Sequence, residues 1–320
     1  MSPVSLPHAH DVLTAAARIA GHAVVTPVLR SRTLDALAGA SLAFKAEHLQ
    51  RSGAFKFRGA CNAVWALPAA QAAAGVVTHS SGNHGAALAL AARTRGIACH
   101  VVVPEGAVAA KLANIVRHGA TLWRCAPTLQ AREAMCAQVQ AETGATLVHP
   151  YADAQVIAGQ GTAALELIHA EGPFDAVVVP VGGGGLAAGT ALALAQVEPQ
   201  ASLVLAEPAG AADTARSLRE GQRHTGLVPD TICDGLRGIV GAPNFELLRR
   251  AGAEVVVVED AATVEAMRLA WQVLKQLIEP SSAIALAAVL AQPRRFAGQR
   301  VGLVVSGGNV DIDALPWSGA

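Results

Sequence analysis

The segment "SGAFKFRG", residues 52–59, sets Lys56 between Phe55 and Phe57, with a glycine on either side, in a chain of 320 residues that has only four lysines. A neutral primary amine attacks an aldehyde to form a Schiff base, whereas a guanidinium stays protonated at any working pH. Apolar neighbours lower an ammonium pKa and free the amine for attack. An idle charge gains nothing from such a setting, because burying it is costly. The residue types around Lys56 therefore predict a nucleophilic amine.

A second stretch, "VVVPVGGGGLAAG", reads as a strand, four glycines at 182–185 and a helix. Glycines let backbone N–H groups approach an anion, and a helix N-terminus favours negative charge, so a phosphate fits here. The same letters match G-x-G-x-x-A at Gly182, Gly184 and Ala187, and Glu207 follows at the end of the next strand, where a dinucleotide fold keeps its ribose-binding acid. At this turn a single phosphate and a dinucleotide both stand. The turns at Ser80 and Ser306 also follow strands, where ligands of parallel sheets sit.

These turns are held by alternating elements. "GVVTHS", "IACHVVVP", "TLWRC", "TLVHP", "FDAVVVPV", "SLVLAEP", "AEVVVVED" and "VGLVVSGGN" predict strands, separated by alanine-rich helical stretches such as "NHGAALALAARTRG" and "LQAREAMCAQVQAETG". "ATVEAMRLAWQVLKQLIEP" reads as one long helix. The alternation predicts βαβ units around a parallel sheet. Net charge is zero and no basic run appears, which argues against a nucleic-acid partner. At 52% hydrophobic and 15% charged residues, the chain is expected to hide surface in an oligomer. No basic start with an apolar core opens the chain and no apolar run reaches the roughly 20 residues of a membrane span, so a cytoplasmic protein is expected. Five dispersed cysteines without a C-x-x-C pair agree with a reducing compartment.

Eight blocks carry a family resemblance: "SGAFKFRGA", "SSGNHGAALALAA", "VIAGQGT", "PVGGGGLAAG", "AEP", "CDGLRG", "LIEPSSA" and "VVSGGN". In this order they resemble the pyridoxal-phosphate enzymes of the tryptophan-synthase β-like fold, fold type II. The chain is similar to their serine racemase and serine/threonine dehydratase branch from Thr26 to Asp311. The resemblance implies a two-domain α/β fold, with a small domain of residues 75–147 inserted between residues 1–74 and 148–320 of a large cofactor-binding domain. It implies pyridoxal phosphate bound by Lys56 with Phe55 beside the ring, Asn83 on the ring hydroxyl, and Ser306 facing the pyridine nitrogen. Gly182, Gly183, Gly184, Gly185 and the amide of Leu186 would hold the phosphate. Ser80, Ser81, Gly82, Asn83 and His84 would grip the substrate carboxylate, and Arg132, in "LQARE", would reach in from the small domain. A nicotinamide enzyme leaves "SGAFKFRG" and "SGGN" without a role.

The function implied is β-elimination from a β-hydroxy amino acid, giving a keto acid and ammonia, by an ammonia-lyase with racemase activity available from the same site. Ser81, on the ring face opposite Lys56, is the expected second acid for racemisation. The alternatives are a serine or aspartate racemase and a threo-3-hydroxyaspartate ammonia-lyase. The resemblance also places a divalent cation, Mg²⁺ or Ca²⁺, among Glu207, the carbonyl of Ala211 and Asp213, all hard oxygen donors. A homodimer is expected, with closure of the lobes over substrate. Three positions depart from the branch: Ala86 stands where its serine racemases carry glutamine, Gly238 where they carry serine, and Tyr151 where asparagine is usual. The first two each remove a hydrogen-bonding group and volume, and Leu129, near Arg132, adds an apolar surface, so a roomier, less polar pocket that favours threonine or phenylserine is expected.

Overall fold

In a computed structural model that describes residues 6–317 apart from Val108, the β-branched runs pair into two sheets. Ten strands form among these residues: β1 (Val28–Leu29), β2 (Ser41–Ala46), β3 (Val76–His79), β4 (Cys99–Pro104), β5 (Thr121–Cys125), β6 (Thr146–Leu147), β7 (Ala176–Pro180), β8 (Ser202–Pro208), β9 (Glu254–Val258) and β10 (Arg300–Val305). The larger sheet runs β1-β2-β10-β7-β8-β9 and the smaller β5-β4-β3-β6. Every pairing is parallel except that of β1 with β2. Residues of β7 are buried throughout, as expected of a strand with helices on both faces.

The smaller sheet is built wholly from residues 76–147, while the larger takes strands from both sides of that segment. Its core joins β3 and β4 to the helices Lys56–Ala66 and Asn83–Arg95 through Phe57, Leu88, Val101 and Ile115. Helix Lys56–Ala66 also lies against helix Ala154–Glu171, where a Cβ on Gly159 would come within 2.7 Å of the Gly59 Cα. Only glycine allows that approach. Arg58, fully buried beside Gly59 at the crossing, pairs with Glu47 and Glu166 at 2.7 Å each. Lys45 is buried against Glu166 at 2.6 Å in a structural ion pair.

Two expectations need correction. "SLAFKA" gives no alternating pattern, yet it forms β2, because β10 pairs with it from Arg300↔Ser41 to Val305↔Ala46. The long helix after β9 runs only over Asp260–Leu269, loosens into a π-turn at Ala270–Leu274, and stops at Lys275, whose φ of 59° lies in the left-handed region. The chain then runs without regular structure to Glu279, which caps the helix Pro280–Leu290. Among the described residues no helix is long and apolar enough to cross a membrane.

Candidate active site

Lys56 is the first residue of its helix, and the segment before it is stitched to the end of β10. Ala54 bridges Gly307, and the Phe55 N–H donates to the Ser306 carbonyl at 2.9 Å. The Lys56 Nζ lies 5.0 Å from the centre of the Phe55 ring and donates to the Pro150 carbonyl at 3.2 Å. Burial lowers its pKa to about 8, against a smaller opposing pull from Glu279. Near neutral pH a usable fraction of the amine is thus free of its proton.

The glycine turn faces the same region. Gly184 has a φ of +87°, and helix Gly185–Val197 follows, so the first N–H groups of that helix have no partners within it. A Cβ on Gly183 would stand 2.5 Å from the ring of Tyr151. Tyr151 adjoins Pro150, which connects the turn to the lysine amine. Asn244 Nδ2 and the Gly241 N–H both donate to the Gly183 carbonyl, at 2.5 and 3.1 Å, which fixes the turn from behind. Leu186 is buried below it.

Ser80 to His84 form the loop from β3 into helix Asn83–Arg95. The Gly82 N–H donates to Ser80 Oγ at 3.4 Å, while the hydroxyl of Ser81 has no partner among the described residues. His84 is buried with neither ring nitrogen in a hydrogen bond, and burial, with Lys56 nearby, holds its pKa well below the usual range. Ser306 is buried at the end of β10, its hydroxyl 3.5 Å from the Ser281 carbonyl. Arg132, on helix Leu129–Thr143, donates only to the Thr128 carbonyl and has no carboxylate partner among the described residues. Its charge acts on His79 and Tyr151.

The sequence reading passed over several groups here. Glu279 is a buried carboxylate that accepts both Asn83 amide hydrogens, at 3.0 and 3.1 Å, while Asn309 Nδ2 donates to Asn83 Oδ1 at 2.9 Å. Burial raises the Glu279 pKa against pulls from Asn83, Lys111 and Lys56. Lys111 pairs with Asp234 and faces Glu279. His79 and His149 meet edge to face at 5.2 Å, and His149 meets Tyr151 at 4.6 Å. Glu279 lies inside the block "LIEPSSA" and His79 adjoins the block that begins at Ser80, which was the one available signal, while His149 adjoins no block.

The expected roomier pocket is not what the structure shows. Ala86 lies in the apolar core beneath its helix, and a Cβ on Gly238 would meet the Tyr151 ring at 3.6 Å. The large ring of Tyr151 occupies the space beside Gly238.

Glu207 and Asp213 come together away from this cleft. The Glu207 carboxylate is fully buried and takes the Thr214 and Ala215 N–H groups at 2.8 Å each, and Asp213 Oδ2 takes the Val240 N–H at 2.9 Å. Neither makes a side-chain ion pair among the described residues, although the charge of Arg223 acts on Asp213, and burial pushes the Glu207 pKa up to about 7. Ala211 lies between them in a short 3₁₀ turn. No group of three or more His, Cys, Asp or Glu that could hold a metal ion gathers among the described residues, so the set here is two carboxylates and a carbonyl.

A half-buried amine of lowered pKa, a glycine turn that opens a helix and a hydroxyl at a strand end fit a phosphorylated aldehyde cofactor, and the orphaned ring nitrogens of His84 leave polar valence there for a ligand. The chain belongs to the pyridoxal-phosphate dependent enzyme family, whose model matches residues 19–307. It is 46% identical over 313 residues to the β-hydroxyaspartate dehydratase of Paracoccus denitrificans, covering 98% of this chain and 99% of that protein. It is also 46% identical over 317 residues to the serine racemase of Arabidopsis thaliana, covering 98% and 94%. The maize serine racemase structure superposes with a TM-score of 0.93 at 42% identity, covering 96% of this chain and 95% of that one.

Proposed function

We propose that this chain is a pyridoxal-phosphate-dependent ammonia-lyase acting on β-hydroxy amino acids, with 3-hydroxyaspartate its best substrate. The observation that carries the substrate is Arg132, a cation without a carboxylate partner that acts on His79 and Tyr151 at the cleft. A second carboxylate on the substrate supplies the missing partner, and charge-assisted pairs are the strong ones. The relative named a β-hydroxyaspartate dehydratase agrees with this choice. Because Tyr151 fills the space beside Gly238, phenylserine gains less than an open pocket would give it.

When bound, the cofactor stabilises the electron pair left at the substrate Cα. Lys56 carries it, beside Phe55. Gly182, Gly183, Gly184, Gly185 and the Leu186 amide hold its phosphate, and Asn83 and Ser306 hold its ring. Once the amine of Lys56 is freed by the incoming amino acid, its pKa of about 8 suits it to take the Cα proton. Ser80 to His84 orient the α-carboxylate; the β-hydroxyl leaves as water, and a water molecule then hydrolyses the resulting imine, which releases ammonia and leaves a 2-oxo acid. Steady-state kinetics on 3-hydroxyaspartate, serine, threonine and phenylserine test this: kcat/KM should be highest for 3-hydroxyaspartate, and a preference for phenylserine overturns the choice. Borohydride reduction and peptide mapping should place the pyridoxyl group on Lys56.

A second reading, racemisation, is favoured by the free hydroxyl of Ser81, which can serve as a proton carrier opposite Lys56. Ser81→Ala should cut enantiomer exchange by roughly 10²- to 10⁴-fold, and elimination far less. Equal losses in the two would show that Ser81 serves only binding.

Three further points belong to the same proposal. A Mg²⁺ or Ca²⁺ ion at Glu207, Asp213 and the Ala211 carbonyl supplies the counter-charge these buried carboxylates lack. The segment 75–147 acts as a small mobile domain against residues 1–74 and 148–320, a reading supported by its separate sheet. The working unit is a homodimer in the cytoplasm, supported by exposed Val24, Val25 and Leu49 on segments joined through Gln50, and by five buried free cysteines.

A further inference from the structure

His149 has a ring whose tautomer is set by the backbone. Its Nδ1 accepts the N–H groups of Tyr151 and Ala152, at 3.3 and 3.0 Å. An atom that accepts two N–H groups carries no proton of its own, so the ring hydrogen sits on Nε2. No described residue accepts from Nε2, and that atom is not among the buried unpartnered ones. The ring is half-buried, edge to face with His79 on one side and with Tyr151 on the other, the two groups on which Arg132 acts. The carbonyl of the next residue, Pro150, holds the Lys56 amine.

We infer that His149 is the fixed, uncharged donor of the substrate pocket, offering its Nε2–H to the β-carboxylate of 3-hydroxyaspartate beside Arg132. This rests on the proposed substrate. Burial, with His79 and Lys56 beside it, lowers the His149 pKa to about 4. The remaining titratable neighbours act the same way or stay neutral: His84 is itself held uncharged by burial, and burial raises the Tyr151 pKa. A neutral imidazole is too weak an acid to protonate a leaving hydroxyl, so its part is a directed hydrogen bond and no proton changes hands. The design separates the two jobs of recognition. Arg132 brings charge, and His149 brings direction that does not vary with pH.

Two substitutions divide the ring. Asn at 149 keeps an acceptor near the Nδ1 position and so keeps the turn, but it has nothing at Nε2. Gln places an amide donor near Nε2. A hydrogen bond to a charged group contributes about 1.5–3 kcal/mol, so His149→Asn should lower kcat/KM for 3-hydroxyaspartate, relative to serine, by about 10- to 100-fold, mostly through KM. His149→Gln should restore part of that ratio. In the unaltered holoenzyme, the ¹⁵N spectrum of His149 should show the neutral Nε2–H form from pH 6 to 8. A loss shared equally by serine and 3-hydroxyaspartate, or a ring that titrates within that range, overturns the inference while leaving the substrate standing. A parent enzyme that does not turn over 3-hydroxyaspartate sinks both.

Discussion

The side-chain amide of Asn83 donates to both carboxylate oxygens of Glu279, at 3.0 and 3.1 Å. One partner opens the helix after β3 in the smaller sheet, and the other caps helix Pro280–Leu290, which packs on the larger. The bond therefore ties the two sheets together at the lysine. Glu279→Ala leaves the Asn83 donors without a partner and should cost about 1–3 kcal/mol in urea unfolding. It also removes the carboxylate that holds up the Lys56 pKa, so uptake of pyridoxal phosphate by the apoprotein should shift to lower pH. Unchanged stability together with an unchanged uptake profile would show that Glu279 is incidental to the site.

Three histidines with lowered pKa values, two buried and one half-buried, make the fold acid-sensitive. Burial lowers the pKa of His79, His84 and His149, the last to about 4. Depressed folded-state pKa values mean that the unfolded chain binds protons first as the pH drops. The stability is complete above about pH 6.5 and is lost as the pH falls toward 4. For His149 alone the loss amounts to at most about 3 kcal/mol. Urea midpoints measured from pH 8 to pH 4 should fall below pH 6.5, and His149→Asn should flatten that fall. A midpoint independent of pH across this range would mean that these rings protonate freely in the folded state.

Much of this architecture was legible because the parallel strands are buried runs with one reading. "SLVLAEP" is β8 from end to end, and the turns at Ser80, Gly182 and Ser306 do follow strands. Local pattern failed where long-range pairing decides: β2 exists because β10 lies beside it, and the helix stop at Lys275 depends on a left-handed residue that no glycine or proline announces. The same failure hid Glu279, which only that stop delivers to the cleft. Lys56 was legible because its chemistry is peculiar to its residue type. Glu279, His79 and His149 are common residue types whose role comes from what surrounds them in space, and spacing along the chain does not reveal that.

The carboxylate pair offers a test that is independent of catalysis. Glu207 and Asp213 take backbone N–H groups but no cationic side chain among the described residues. A bound divalent cation at about 100 times its dissociation constant adds about 2.7 kcal/mol to stability. EDTA should lower the melting temperature of the parent by several degrees, and Glu207→Gln should abolish that response. A parent insensitive to EDTA, with no metal found by elemental analysis, would leave Glu207 as a cap on the helix Asp213–Glu220 and nothing more.

Tyr151 and Gly238 form one packing unit. The Tyr151 ring lies against the Cβ positions of Gly183 and Gly241 at 2.5 and 3.3 Å and against that of Gly238 at 3.6 Å, and the Tyr151 Cβ lies 3.1 Å from that of Gly185. A Cβ on Gly238 would meet the Gly183 N at 3.4 Å and the ring at 3.6 Å, ordinary contact distances, so it is the Oγ of a serine there that would press on the Tyr151 edge. Gly238→Ser alone should cost about 1–3 kcal/mol from overpacking. Tyr151→Asn alone should cost about 3–5 kcal/mol, since it leaves a void over the glycine turn. In the double variant the serine occupies space the ring has left, so the combined loss should be smaller than the sum by about 0.5–3 kcal/mol. The void also opens the pocket, and phenylserine should gain in kcat/KM relative to 3-hydroxyaspartate when Tyr151 is removed. Urea unfolding of the parent, both singles and the double gives the coupling directly. Additive losses would mean that the ring and the glycine do not share that space, and the account of the closed pocket would fall with them.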